Sequence, residues 1–201
     1  MNFLEERIVK EGSLKAGNIL KVDCFLNHLV DADFSIRIVQ EILSRYSGVS
    51  FTKVLTIEAS GIALACLAAM QLHVPMLFAK KSASLNVDGD VCSSRCYSYT
   101  HKTENTVFVS AKYIQPHDKV LVIDDFLANG EALRALTDIV RQAGAQVAGC
   151  GIAIEKGFQG GGDMLRSRGY RVESVAIIDE MDADRHMIRF RGDNNTYSIG
   201  N

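Results

Sequence analysis

A chain of 201 residues with 47% hydrophobic and 23% charged residues has the composition of one globular domain, which excludes disordered and fibrous classes. At this length folding buries roughly 70% of the surface that the unfolded chain exposes. A formal net charge of -2 gives no electrostatic ground for nucleic acid or an anionic membrane as partner.

The opening MNFLEERIVKEGSL places Glu5 and Glu6 where a secretory leader needs basic residues, so a cytoplasmic protein is expected. The most apolar segment, 61–72, is too short to cross a bilayer and suits a buried helix. The five cysteines are odd in number and scattered, which fits a reducing compartment. Cys92 and Cys96 lack a matching second pair and read as free thiols rather than metal ligands.

In chain order, helices and strands alternate. Residues 3–11 are predicted helical and 18–25 extended. Over 33–46, Ile38, Val39, Ile42, Leu43 and Tyr46 recur at helical spacing, with Arg37, Glu41 and Arg45 opposite. A β-rich run at 53–57 leads into the Ala-rich helix at 61–72, whose small side chains predict close packing on a sheet. Residues 74–79 read as extended, 80–102 as a polar stretch, and 107–109 and 119–123 as extended again. Over 131–143, Leu133, Leu136, Ile139, Val140 and Ala143 form one apolar stripe, and Gly144 is placed to stop that helix. Strands at 147–154 and 172–178 flank a short helix at about 160–168. The rhythm implies an α/β fold in which helices cover both faces of a mainly parallel central sheet. One domain over 1–201 is expected, without repeat or linker. The tail from Asp182 alternates charged and apolar residues and fits a hairpin, a lid or a dimer arm. The acidic cluster Asp179, Glu180 and Asp182 reads as a solvated turn.

Ligands of such sheets bind beyond the carboxyl ends of the strands. Three loops are expected there: Glu58-Ala59-Ser60-Gly61, 124–130 and 155–162. The second belongs to VLVIDDFLANGEALRAL, over 120–136, where an apolar run ends in Asp124 and Asp125 and a short loop with Gly130 opens an amphipathic helix. Backbone N–H groups at a helix N-terminus can hold a phosphate, and paired carboxylates can hold sugar hydroxyls. A helix cap accounts for one carboxylate, not two. Both are expected at the exposed strand tip, with the turn bringing them toward one sugar. Across Ala128, Asn129, Gly130, Glu131 and Ala132, small residues allow close backbone approach, and Glu131 complements the helix dipole.

The segment resembles the ribose-phosphate fingerprint of type I phosphoribosyltransferases: two acidic residues, a spacer and a Gly-containing turn that opens a helix. ILKVD at 19–23 with FLNH at 25–28, the DDFLANGEA run, and EKGFQGGG at 155–162 together resemble the bacterial xanthine phosphoribosyltransferases over essentially the whole chain. The resemblance implies the type I fold, with a small hood over the base site from about 1–30 and segments after 155. It implies purine salvage: transfer of the 5-phosphoribosyl group from phosphoribosyl pyrophosphate to xanthine, giving xanthosine 5'-monophosphate and pyrophosphate. Asp124 and Asp125 then take the catalytic place, facing the ribose hydroxyls directly or through water on Mg²⁺, which enters with the substrate rather than on a protein metal site. Residues 128–132 wrap the 5'-phosphate, and Glu58, Ala59, Ser60 and Gly61 form the pyrophosphate loop. The stretch 80–102 becomes a lid whose Lys81, Arg95 and Lys102 offset pyrophosphate charge, and its length is itself unusual for a passive connector. A homodimer is implied too.

Base recognition falls, by the same resemblance, to Leu20, Asn27 and Lys156. Lys156 ends an apolar strand, and its ammonium can donate to an exocyclic oxygen of an oxopurine. An amino group there is left unmatched, at about 1–3 kcal/mol. Asn27 offers a donor and an acceptor. Leu20 packs near the base, Phe158 either stacks on it or joins the core, and His28 reads as structural. One departure stands out: many purine phosphoribosyltransferases carry a third acidic residue three beyond the pair, and here that position is Ala128, followed by Asn129 instead of Thr. With no general base there, xanthine, an acidic purine, is expected to enter as its anion, balanced by Lys156. Two alternatives share the scaffold: a guanine or hypoxanthine phosphoribosyltransferase, and a non-catalytic purine-sensing regulator. Repressors of that kind carry an N-terminal DNA-binding domain, for which the early strand leaves no room, and no basic patch supports nucleic-acid binding.

Overall fold

Apolar residues that alternate along the strands sort into two cores, one on each face of a twisted sheet. The computed structural model describes residues 1–17, 19–81, 90–98 and 103–200. Its helices are α1 (Phe3–Glu11), α2 (Ala32–Ser44), α3 (Ile62–Leu72), α4 (Glu131–Gln142) and α5 (Gly161–Ser167). A small antiparallel hairpin joins β1 (Ser13–Lys15) and β2 (Ile19–Lys21). The large sheet comprises β3 (Lys53–Ile57), β4 (Met76–Lys81), β5 (Val91–Ser98), β6 (Thr103–Ser110), β7 (Lys119–Leu127), β8 (Gln146–Lys156), β9 (Val172–Asp182), β10 (Met187–Phe190) and β11 (Thr196–Ser198). Among the described residues its order is β11-β10-β9-β8-β7-β3-β4-β6-β5. From β9 through β4 all neighbours are parallel, as the strand–helix rhythm requires, while β10–β11 and β6–β5 add antiparallel wings. The sheet is therefore mixed, with its parallel part at the centre.

On one face Ile38, Val39 and Ile42 of α2 and Leu64, Ala65 and Ala68 of α3 pack on Val54, Leu121 and Ile123. The same core takes in Leu4, Ile8, Leu14, Phe25 and, from the far end of the chain, Phe190 and Ile199. On the other face Leu133, Leu136, Ile139 and Val140 of α4 cover Leu55, Val120 and Val122. Local signals set the helix ends. Asn2 and Glu5 form a reciprocal capping box on α1, Asp31 caps α2, and a left-handed Gly144 follows α4.

Three sequence expectations need correction. Residues 18–25 are not one extended run, because β2 stops at Lys21 and Asp23–Asn27 forms a π-helical turn. Phe25 and Leu26, consecutive in the chain, enter the same core, as a helical turn allows and regular strand alternation does not. Part of the polar stretch 80–102 is the strand β5, whose Cys92 and Cys96 face the core at 8% and 9% exposure. Small polar Ser residues between them mask the alternation. Residues 82–89 and 99–102, with Lys102, lie outside the described residues. Asp179, Glu180 and Asp182 belong to β9 rather than a turn, and Asp179 pairs with Arg191 at 2.9 Å. Of the alternatives for the tail, the hairpin is observed: β10 and β11 extend the sheet edge.

Candidate active site

The acidic pair sits where β7 loses its alternation. Val120 and Val122 belong to the α4 core, and Leu121 and Ile123 to the opposite one; beyond the pair, Phe126 packs on the second core and Leu127 lies in the first. Strict alternation would put Leu127 with Ile123, so the parity reverses across Asp124 and Asp125. β8 reverses beside it, with Ile152 in one core and the consecutive Ala153 and Ile154 in the other. The pair is not at an exposed tip, since β7 continues to Leu127, paired with Glu155, and each aspartate is 4% exposed.

Asp124 Oδ1 accepts the Asp125 N–H at 3.0 Å. Burial, followed by the adjacent Asp125 carboxylate, pushes the Asp124 carboxyl well above the usual carboxylate range. Asp125 accepts from Asn27 Nδ2 at 3.0 Å through Oδ2 and from the Ser60 hydroxyl at 2.8 Å through Oδ1. Two residues from distant segments thus converge on the carboxylate of a third. Glu58 begins the Ser60 loop: its N–H bonds the Ala79 carbonyl at 3.1 Å, and its Oε1 accepts the Lys81 N–H at 2.5 Å. The Glu58–Ala59 peptide is cis. Gly61 starts α3, where a Cβ would fall 2.2 Å from Thr56 Oγ1 and 3.0 Å from Asp124 Oδ1, so the loop reaches the aspartate only because the side chain is missing.

The turn 128–130 is braced from a side that sequence reasoning did not identify. Gly130 takes φ +85° before α4, and its carbonyl accepts the Arg134 N–H at 2.8 Å. Gly161 donates its N–H to the Ala128 carbonyl at 3.2 Å, and a Cβ on it would lie 2.2 Å from that oxygen and 2.4 Å from Gly130 N. The glycine run after β8 is therefore seated against the turn after β7. The run itself was the available signal, but only three-dimensional contact shows its partner.

Glu155 and Lys156, adjacent at the end of β8, have opposite surroundings. Glu155 is fully buried and receives Arg166 Nη1 and Nη2 at 2.8 and 2.7 Å together with the Ser174 hydroxyl. Burial works against its charge, yet Arg166 and Ser174 hold its carboxyl below the usual range. Lys156 is half-buried with Nζ 5.7 Å from the Phe126 ring centroid, and burial lowers its ammonium pKa. Leu20 is buried across from Leu14 in the β1–β2 hairpin. Phe158 is 39% exposed, which removes the core alternative for it. Among the described residues no group of three or more His, Cys, Asp or Glu side chains is arranged to hold a metal, Cys92 and Cys96 included.

A model of the phosphoribosyl transferase domain matches residues 28–183, which include the acidic pair, the turn after it and Lys156. The chain belongs to the phosphoribosyltransferase family. It is 53% identical over 192 residues to the xanthine phosphoribosyltransferase of Bifidobacterium longum, covering 95% of this chain and 100% of that one. The protein of the same name from Lachnoclostridium phytofermentans is 49% identical, covering 96% of this chain and all of its own. The solved adenine phosphoribosyltransferase of Trypanosoma brucei, in complex with AMP, pyrophosphate and ribose-5-phosphate, superposes with a TM-score of 0.71 at 17% identity over 87% of this chain and 78% of that one. That likeness concerns the fold: a sheet flanked by helices, with this phosphoribosyltransferase's loops at the carboxyl ends of β3, β7 and β8.

Proposed function

We propose that this phosphoribosyltransferase acts in purine salvage, transferring the 5-phosphoribosyl group from phosphoribosyl pyrophosphate to xanthine with release of pyrophosphate. The observation that carries the reading is the meeting of Asn27 and Ser60 on Asp125. It joins the segments assigned to base, ribose and pyrophosphate at one point. The full-length relatives named xanthine phosphoribosyltransferase supply the base.

In this reading Ala128, Asn129, Gly130, Glu131 and Ala132 receive the 5'-phosphate on backbone amides at the start of α4. Asp124 and Asp125 accept from the ribose hydroxyls, and Glu58, Ala59, Ser60 and Gly61 line the pyrophosphate. Leu20, Asn27 and Lys156, under a hood of the N-terminal segment and the residues after 155, hold the base. A divalent ion that keeps its water and binds mainly substrate phosphates needs one or two carboxylates, and the buried pair fits Mg²⁺ on that count. When bound, Mg²⁺ would supply positive charge to the pyrophosphate oxygens. The chain's own share is positioning, exclusion of water and charge balance.

Lys156 selects the base by charge. Burial lowers the pKa of its ammonium, and an anionic oxopurine beside it favours the charged form better than a neutral one does. Ala128 offers no carboxylate to take a proton from the ring nitrogen, which suits a purine that is already ionised. The same reading places the enzyme in the cytoplasm as a homodimer, in keeping with the family resemblance and with exposed free thiols at Cys24 and Cys66. No described helix is long and apolar enough to cross a membrane.

The test is a panel of xanthine, guanine, hypoxanthine and adenine with phosphoribosyl pyrophosphate and Mg²⁺, read as nucleotide formed. Xanthine is expected to give the highest kcat/KM. Equal turnover of hypoxanthine at neutral pH contradicts the base assignment, and no product with any base favours a sensing role.

A further inference from the structure

Glu131 puts a carboxylate in the first turn of α4, where the proposed function places a phosphate dianion. An acid there suits the helix dipole of the free protein but opposes an anion at the same helix end. The structure shows where that charge is held. Arg134 Nη2 and Nε bond Glu131 Oε2 at 2.9 and 3.3 Å, Nη1 bonds Asp138 Oδ2 at 3.1 Å, and Nη2 donates to the Arg95 carbonyl of β5 at 2.7 Å. Asp138 also accepts from the Ser94 hydroxyl at 3.4 Å. Gln142 exchanges two hydrogen bonds with the Ser93 backbone, at 3.1 and 2.7 Å. Arg134, Asp138 and Gln142 recur at helical spacing, so one face of α4 is stitched to β5 over its length. Burial, and then the Glu131 carboxylate, pushes the buried Cys96 thiol of β5 up.

We propose that Arg134 is a positioning residue for phosphoribosyl pyrophosphate: it holds the Glu131 carboxylate and neutralises it, leaving the start of α4 open to the 5'-phosphate. The inference rests on reading 128–132 as the phosphate loop. Arg134 touches no substrate; it acts through Glu131. Its planar fork serves Glu131, Asp138 and the Arg95 carbonyl together, which a lysine cannot do.

The test is a double-mutant cycle of Arg134→Met and Glu131→Gln, read as KM for each substrate, with melting temperatures to confirm folding. R134M is expected to raise KM for phosphoribosyl pyrophosphate about tenfold, in the range of charges at a partly buried helix end, and to leave KM for xanthine within about twofold. In the E131Q background the same substitution should cost less than about twofold, and in the native background its effect should shrink as salt rises. Arg134→Lys keeps the charge and should raise that KM by less than about threefold, which provides a second reading if R134M is unstable. An equal R134M effect in both backgrounds, or an equal loss for xanthine, would make Arg134 only a strut for β5 and overturn the proposal. Failure of the unsubstituted enzyme to form nucleotide would instead overturn the underlying function.

Discussion

Asn27 and Asp125 stand 98 positions apart in the chain, and the Asn27 amide donates to Asp125 Oδ2 at 3.0 Å. Ser60 holds the other oxygen at 2.8 Å. The carboxylate assigned to the ribose is thus oriented by the base side and the pyrophosphate side at once. Asn27→Ala removes the orienting donor and, in the proposed function, a base contact. Hydrogen bonds to charged groups contribute about 1.5–3 kcal/mol, so kcat/KM for xanthine is expected to fall about tenfold or more. Steady-state kinetics with each substrate varied in turn decides it, and a change confined to melting temperature would make Asn27 merely structural.

Gly161 should be intolerant of the smallest side chain. A Cβ there would lie 2.2 Å from the Ala128 oxygen and 2.4 Å from Gly130 N, both backbone atoms that cannot rotate away. Gly161→Ala is expected to shift the turn and raise KM for phosphoribosyl pyrophosphate about tenfold or more, since a displacement near 1 Å is costly in a positioned site. An unchanged KM in a folded variant would show that this turn does not hold the phosphate.

Lys156 makes a prediction in base choice. Lys156→Met keeps much of the stem volume and removes the donor and the charge. Preference for xanthine over hypoxanthine should narrow by about tenfold, the size of one buried mismatch. For the unsubstituted enzyme, turnover of xanthine should rise with pH as the free base ionises, then decline at a pH below the ordinary lysine pKa, because burial lowers that of Lys156. Hypoxanthine should stay poor throughout. A preference narrowed to that extent in Lys156→Met would be the supporting result; an unchanged preference would contradict the role.

Asp124 and Glu155 have opposite effects on stability as pH changes. The Asp124 carboxyl is raised above 3.8 in the fold, so it favours the folded state at low pH and that contribution is lost as pH rises through its folded value. Asp124→Asn should therefore raise the melting temperature of the free protein at pH 8, with the difference shrinking near pH 4. Glu155 is lowered from 4.5, so its contribution is present at neutral pH and lost as pH falls through its folded value. Glu155→Gln leaves the partly exposed Arg166 beside a neutral buried group and should destabilise at pH 7 by about 1.5–3 kcal/mol, the size of a hydrogen bond to a charged group. Melting curves across pH for both variants check the two signs together.

Much of this was legible in the chain because helical periodicity and turn residues act locally. Residues 53–57 form β3 within the bounds read from the sequence, and Gly144 ends α4 where its φ permits. The acidic pair and Gly130 stood out by residue type and order, and Gly130 does take the left-handed turn before α4. What stayed hidden depends on contacts across the sheet. The reversal of parity at Asp124 and Asp125 involves β8 as much as β7, and no window on one strand reveals it. β5 was missed because Cys92 and Cys96 read as polar until a core surrounds them. The Glu155 pair with Arg166 and Ser174 was missed because a carboxylate beside Lys156 reads as part of a charged loop.

The most direct measurement is a calorimetric titration of phosphoribosyl pyrophosphate into the folded protein with Mg²⁺ present. Saturable binding is expected, weakened about tenfold or more by Gly161→Ala, since that side chain would displace the Ala128–Gly130 turn. A folded protein that shows no binding, or binds equally well with Gly161→Ala in place, would contradict the assignment of the sugar phosphate to this turn.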